Sequence, residues 1–192
     1  MPQPLHLVAS RIAALLKTTK TRVVFAESCT AGLISATLSR VPGISEYHCG
    51  SAVVYRLDTK SRWLGIDPGL LVDPGPGPVS DDVARLMAVG VLERTPEATF
   101  SAAITGHLGP NAPNHQDGLV FIGVAHRDGD DVHVTVFSHV LSPEITAIEH
   151  LETDSLREWR QWKAVELVLL HLGDAVGTVF NPSGPARDLS NG

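Results

Sequence analysis

Apolar residues recur along the chain with two different periods. Leu7, Ile12, Leu15 and Leu16 fall at helical spacing and predict an amphipathic helix over residues 5–20. Lys17, Lys20 and Arg22 close it with charges that suit a helix C-terminus. Residues 22–26 are a short β-branched, apolar run, which reads as a strand. Helical spacing returns in Leu33, Ile34, Leu38 and Val41, and Val41-Pro42-Gly43 stops it near residue 40. Residues 48–55 form a second strand, apolar enough for a largely buried position. A short helix capped by Asp58 or Thr59 follows, through Leu64. Residues 67–78 hold four prolines and three glycines and predict a loop. Ser80-Asp81-Asp82 opens a third main helix, with Val83, Leu86, Met87 and Val91 on its apolar face.

Residues 98–105 form another strand, ending in Thr105-Gly106-His107-Leu108-Gly109-Pro110 and a polar run to Asp117. Residues 118–125 and 132–140 pair across a turn at Asp128-Gly129, where glycine supplies positive φ cheaply. Leu156, Trp159, Val165, Leu167, Val168 and Leu170 place a long helix over residues 155–172. Residues 177–192 read as a loosely held tail.

Helices alternate with strands early and a hairpin comes late. That order predicts an α/β fold: a single three-layer α/β/α domain over residues 1–176, with a mixed, mostly parallel sheet and a late antiparallel hairpin. Ligands in open α/β sheets bind beyond the carboxyl ends of the strands. Ser28, Tyr55 with Lys60, and Thr105-Gly106 each follow such an end. Three separate segments therefore converge on one edge, if their strands are parallel.

Composition narrows the functional classes. The 192 residues are 43% hydrophobic and 19% charged, ordinary for a globular domain. Net charge is −6 with no long basic run, which argues against a nucleic-acid partner. No apolar run approaches the roughly 18 residues of a spanning helix, so no membrane partner is expected. The first residues lack a basic stretch, and two cysteines, Cys29 and Cys49, make no disulfide framework. A cytoplasmic location is expected. The nine histidines show no metal-binding spacing, so no metal site is expected. His133 and His139 share a strand face and read as solvated. Trp159 and Trp162 read as packing residues.

The chemistry centres on residues 23–32, where a strand runs through Glu27-Ser28-Cys29-Thr30 into a helix. A hydroxyl there can attack a carbonyl while unpaired helix N–H groups meet the developing oxyanion. Ser28 or Thr30 as a plain helix cap is the competing reading. Cys29 is a second, less favoured nucleophile, since small buried cysteines are common. Lys60 sits against the dipole preference in a first helical turn, and its default is a solvated surface lysine. Tyr55 defaults to a core aromatic.

The run Ala26-Glu27-Ser28-Cys29-Thr30-Ala31-Gly32 resembles the AESCTGG signature of the CinA C-terminal domain family, the competence/damage-inducible protein A-like proteins. The likeness continues through Val41-Pro42-Gly43, Val53-Val54-Tyr55, Lys60, Leu64-Gly65 and Gly77-Pro78-Val79-Ser80. It reaches Thr105-Gly106 and Gly109-Pro110, similar to TGIAGP. This resemblance implies a three-layer α/β/α fold and a serine amidohydrolase that converts nicotinamide mononucleotide to the acid and ammonia. Carried over, Ser28 is the nucleophile, Lys60 the general base and Tyr55 a proton relay or orienter. Glu27, Cys29, Thr30, Thr105, Gly106 and Gly109 are the implied substrate contacts. No metal or organic cofactor is implied, the partner is a small amide or nucleotide, and a homo-oligomer is expected.

A base must be neutral, so the lysine pKa must fall from about 10.4. Burial and the positive end of a helix both lower it. The loop departs from the family pattern: Ala31 replaces a glycine, His107-Leu108 replaces Ile-Ala, and His115-Gln116-Asp117 replaces Lys-Pro-Val. Thr153-Asp154-Ser155 stands where the family has Gly-Asp-Arg. Lost cations and an added Asp117 predict a weak hold on phosphate and better use of an uncharged amide. A non-catalytic nucleotide-binding or regulatory relative is the alternative.

Overall fold

A computed structural model describes residues 4–142 and 156–181. The elements in chain order are α1 (Leu5–Thr19), β1 (Val23–Glu27), α2 (Leu33–Ser39), β2 (His48–Val53), α3 (Leu57–Leu64) and α4 (Asp81–Glu93). They continue with β3 (Phe100–Gly106), β4 (Leu119–Asp128), β5 (Asp131–Val140) and α5 (Leu156–Phe180).

The five strands form one sheet in the order β2-β1-β3-β4-β5. β1 pairs in parallel with both β2 and β3, while β3–β4 and β4–β5 are antiparallel. The fold is therefore α/β with a mixed sheet and a late hairpin. β1 is interior, between β2 and β3, and every residue from Val23 to Glu27 is buried. Its alternate side chains serve two cores. Val23 and Phe25 pack with Val8, Ile12 and Leu16 of α1, Ile34 and Leu38 of α2, and Val165 and Leu169 of α5. Val24 and Ala26 pack with Leu64 of α3 and Val83, Met87 and Val91 of α4. Strand alternation thus generates the three layers.

Three expectations need correcting. β2 is an edge strand and half-buried, because among the described residues no strand covers its outer side. α3 starts at Leu57, so Asp58 and Thr59 lie inside it. α5 runs eight residues past 172, to Phe180, with Val176 buried in its last turns. Residues 182–192 and the Thr153-Asp154-Ser155 comparison lie outside the described residues.

Candidate active site

β1, β2 and β3 end at one edge of the sheet, and an open cleft of about 260 Å³ lies there. Ser28, Tyr55, Lys60, Thr105, Gly109 and Arg157 are among its lining residues. The parallel pairing brings together the three segments that sequence reading had placed at strand ends.

Ser28 extends β1 by one residue, its N–H donating to the Ile104 carbonyl (3.1 Å). The chain then turns sharply. Ala31 (φ 53°) and Gly32 (φ 98°) both take left-handed backbone, which glycine accepts and alanine resists. Neither Ser28 nor Thr30 caps α2 with its side chain. The cap is Glu27, whose carboxylate accepts from the N–H groups of Gly32 (2.9 Å), Ile34 (3.0 Å) and Ser35 (3.0 Å). Those amides are therefore occupied and do not wait for an oxyanion. Glu27 is 0% exposed and, like Thr30, does not line the cleft. Thr30 instead donates its hydroxyl to Glu27.

Lys60 is not a surface lysine: it is 1% exposed. α3 points its fourth residue inward, and Nζ lies 2.8 Å from Ser28 Oγ and 2.8 Å from the Val54 carbonyl. Burial pulls its pKa down to about 8. Cys29 also lines the cleft, but burial pushes its thiol up to about 12, so it offers no thiolate at neutral pH.

Tyr55 is not a core aromatic. It is 54% exposed at the cleft, and its hydroxyl accepts from Arg157 Nη2 (2.9 Å). Among the described residues that hydroxyl bonds Arg157, not Ser28 or Lys60. Thr105 donates to the Pro78 carbonyl (2.6 Å), tying β3 to the loop before α4. Gly106 and Gly109 line the cleft with backbone. Gly109 has φ +69°, and an added Cβ there would lie 2.7 Å from Asp117 Oδ1.

The first turns of α5 hold three residues that sequence reading missed. Arg157 reaches Tyr55 and the Gly109 carbonyl. Arg160, buried, donates to Leu108 and Leu141 carbonyls and grips Asp117 with both ends of its fork (2.8 and 2.7 Å). Gln161 donates to the Cys29 carbonyl (3.2 Å). Their spacing of three and four puts them on one helix face, and that polar stripe was readable. It corrects the cation deficit: Arg157 supplies positive charge to the cleft, and Asp117 is already neutralised by Arg160. Among the described residues no group of three or more His, Cys, Asp or Glu is arranged to hold a metal. No helix among them is long and apolar enough to cross a membrane.

A model of the CinA C-terminal domain matches residues 6–151. The chain belongs to the CinA C-terminal domain family. A CinA-like protein of Gloeobacter violaceus is 42% identical over 120 residues, 62% of this chain and 28% of that protein. A CinA-like protein of Mycobacterium tuberculosis is 41% identical over 127 residues, 65% of this chain and 28% of that protein. The chain thus spans less than a third of the length of these CinA-like relatives. Among solved structures, a competence/damage inducible protein of Agrobacterium tumefaciens aligns with TM-score 0.76 at 28% identity, covering 92% of this chain and 98% of that one. A CinA superfamily protein of Klebsiella pneumoniae gives 0.77 at 21% identity, with 91% and 99% covered, and supports the fold alone.

Proposed function

We propose that this CinA-family chain is a serine amidohydrolase acting on nicotinamide mononucleotide or a related small amide. The observation that carries the reading is the buried Lys60 amine 2.8 Å from Ser28 Oγ, beside an open cleft. In its neutral form Lys60 accepts the Ser28 hydroxyl proton and donates one N–H to the Val54 carbonyl, which aims the lone pair. Oγ attacks the amide carbon. The Lys60 ammonium then protonates the departing nitrogen, ammonia leaves, and an ester to Ser28 remains. Lys60 next takes a proton from water, hydroxide attacks the ester, and the acid departs as Ser28 regains its proton.

Arg157 gives the cleft a cation that among the described residues bonds only Tyr55 and the Gly109 carbonyl, suited to a phosphate or carboxylate on the substrate. Tyr55, held by that arginine, orders the cleft mouth and not the proton path.

The test is an ammonia-release assay over nicotinamide mononucleotide, nicotinamide riboside and simple amides. Turnover by the native protein and none by Ser28→Ala is the expected outcome. Nucleotide binding without turnover of any amide would move the chain to the non-catalytic reading.

A further inference from the structure

Glu27 immediately precedes the serine, yet its carboxylate turns away from the cleft and the residue is 0% exposed. Its two oxygens accept five hydrogen bonds from three segments. Oε2 takes Thr30 Oγ1 (2.8 Å), Gly32 N (2.9 Å) and Ile34 N (3.0 Å). Oε1 takes Ser35 N (3.0 Å) and Ser51 Oγ (2.9 Å). The donors belong to the turn after Ser28, the first turn of α2, and β2. A buried charge is tolerated only when it is satisfied in this way.

The backbone of Glu27 holds the other half of the pair. Its carbonyl accepts from Val54 N (2.8 Å), and the carbonyl of that same Val54 accepts from Lys60 Nζ. Ser28 is bonded to Glu27 covalently, and Lys60 is tied to it through one residue, Val54. The left-handed pair Ala31-Gly32 gives the turn little reason of its own to keep this shape. The carboxylate compensates by pinning the turn on both sides of that pair.

We infer that Glu27 is a positioning residue: its carboxylate fixes the turn and strand end that set Ser28 Oγ against Lys60 Nζ, without touching substrate. The inference rests on the amidohydrolase reading for its catalytic consequence but on the contacts above for its structural one. Glutamine is the discriminating replacement. Its amide nitrogen can donate to Ser51 Oγ, which turns to accept, but it faces the Ser35 N–H as a second donor. At least one of the five bonds is lost without a change of volume.

The experiment has two arms on native protein and on Glu27→Gln, with Thr30→Val as a milder second variant. The first arm follows the Lys60 ε-carbon by NMR against pH, with Lys60→Met to assign the signal, and needs no substrate. Native Lys60 should titrate near 8, and in Glu27→Gln its midpoint should move up toward the ordinary lysine value as the loosened turn admits water. Thr30→Val should give a smaller move in the same direction. The second arm is steady-state ammonia release. There kcat should fall roughly 10- to 100-fold in Glu27→Gln with KM within about twofold, the pattern of a misplaced but unblocked nucleophile.

A folded Glu27→Gln with an unmoved Lys60 titration overturns the inference. So does a rise in KM with kcat preserved, which would make Glu27 a substrate contact. If Glu27→Gln does not fold, an unmoved titration in Thr30→Val overturns it. Native protein that releases no ammonia, while the first arm behaves as stated, removes the amidase reading and leaves the positioning role standing.

Discussion

Lys60 has 1% of its surface exposed and two hydrogen-bond partners, one of them Ser28. A cation in that position is disfavoured, and burial holds its pKa near 8. Folding therefore raises the share of neutral amine, to about a tenth of the molecules at pH 7. Activity should rise with pH below this value and level off above it, which a kcat/KM profile from pH 6 to 10 measures. Lys60→Arg should be nearly inactive throughout, because arginine stays charged across that range. A variant keeping most of the rate would reduce Lys60 to a buried cation without a proton-transfer role. Ser28→Ala should lower kcat at least about a thousandfold while the melting temperature stays close to native, since a small polar side chain is lost and the turn is held by Glu27. Thermal unfolding beside the kinetics separates the two effects.

At the scale of elements, α5 decides more than its place in the core suggests. Arg157, Arg160 and Gln161 touch the Tyr55 segment, the 107–118 loop and the nucleophile turn. Arg157→Ala should raise KM for the nucleotide about tenfold or more, the worth of one charge-assisted contact, and raise it much less for the nucleoside. Equal KM values for nucleotide and nucleoside in the native protein would show that Arg157 holds no anion. Further along, α5 meets β5 through His171 and His139, with Nε2 atoms 2.8 Å apart and the Phe137 ring stacked on His171 at 3.8 Å. His139 is thus a packing partner and not a solvated residue. Burial, and secondarily His139, pull His171 down to about 4. The folded pKa lies below the unfolded value of about 6.5, so the unfolded chain binds more protons between these limits. Stability from this site is complete above pH 6.5 and is lost as pH falls toward 4. The loss is on the order of 2–3 kcal/mol, or several degrees in melting temperature. Lys163, paired with Glu166, adds positive charge near His139 and works in the same direction. His171→Phe should flatten the dependence of melting temperature on pH over that range; an unchanged slope would place the acid sensitivity elsewhere.

Across the whole molecule, periodicity made the layers legible. The five strands and the main helices follow from apolar residues repeating every two or every three to four positions, and the strand ends named the edge where the cleft lies. What depends on neighbours was not legible. The apolar run of β2 reads as interior, but only sheet order decides that it is an edge. The apolar pattern ends the last helix at residue 172, yet α5 passes through Gly173 and Gly177, and Gly173 packs against Ile12 of α1. The family resemblance makes Glu27 a substrate contact; strand alternation puts its side chain on the same face of β1 as Val23 and Phe25, away from Ser28, and the donors that hold it come from the turn, α2 and β2. Arg157 was overlooked because the last helix was read for its apolar face alone. Asp117 counted as an unbalanced anion until its partner, forty-three positions along the chain, came into view.

If Ser28 becomes acylated with Lys60 as its base, intact-protein mass spectrometry should catch the ester. Native protein is mixed with nicotinamide mononucleotide near pH 8, where neutral Lys60 supports acylation, and quenched in acid within milliseconds to seconds. An adduct of the substrate's mass less ammonia is expected, located by peptide mapping on Ser28 and missing from Ser28→Ala. Ammonia release that continues in Ser28→Ala, or an adduct found on Cys29 instead, would contradict acylation of Ser28.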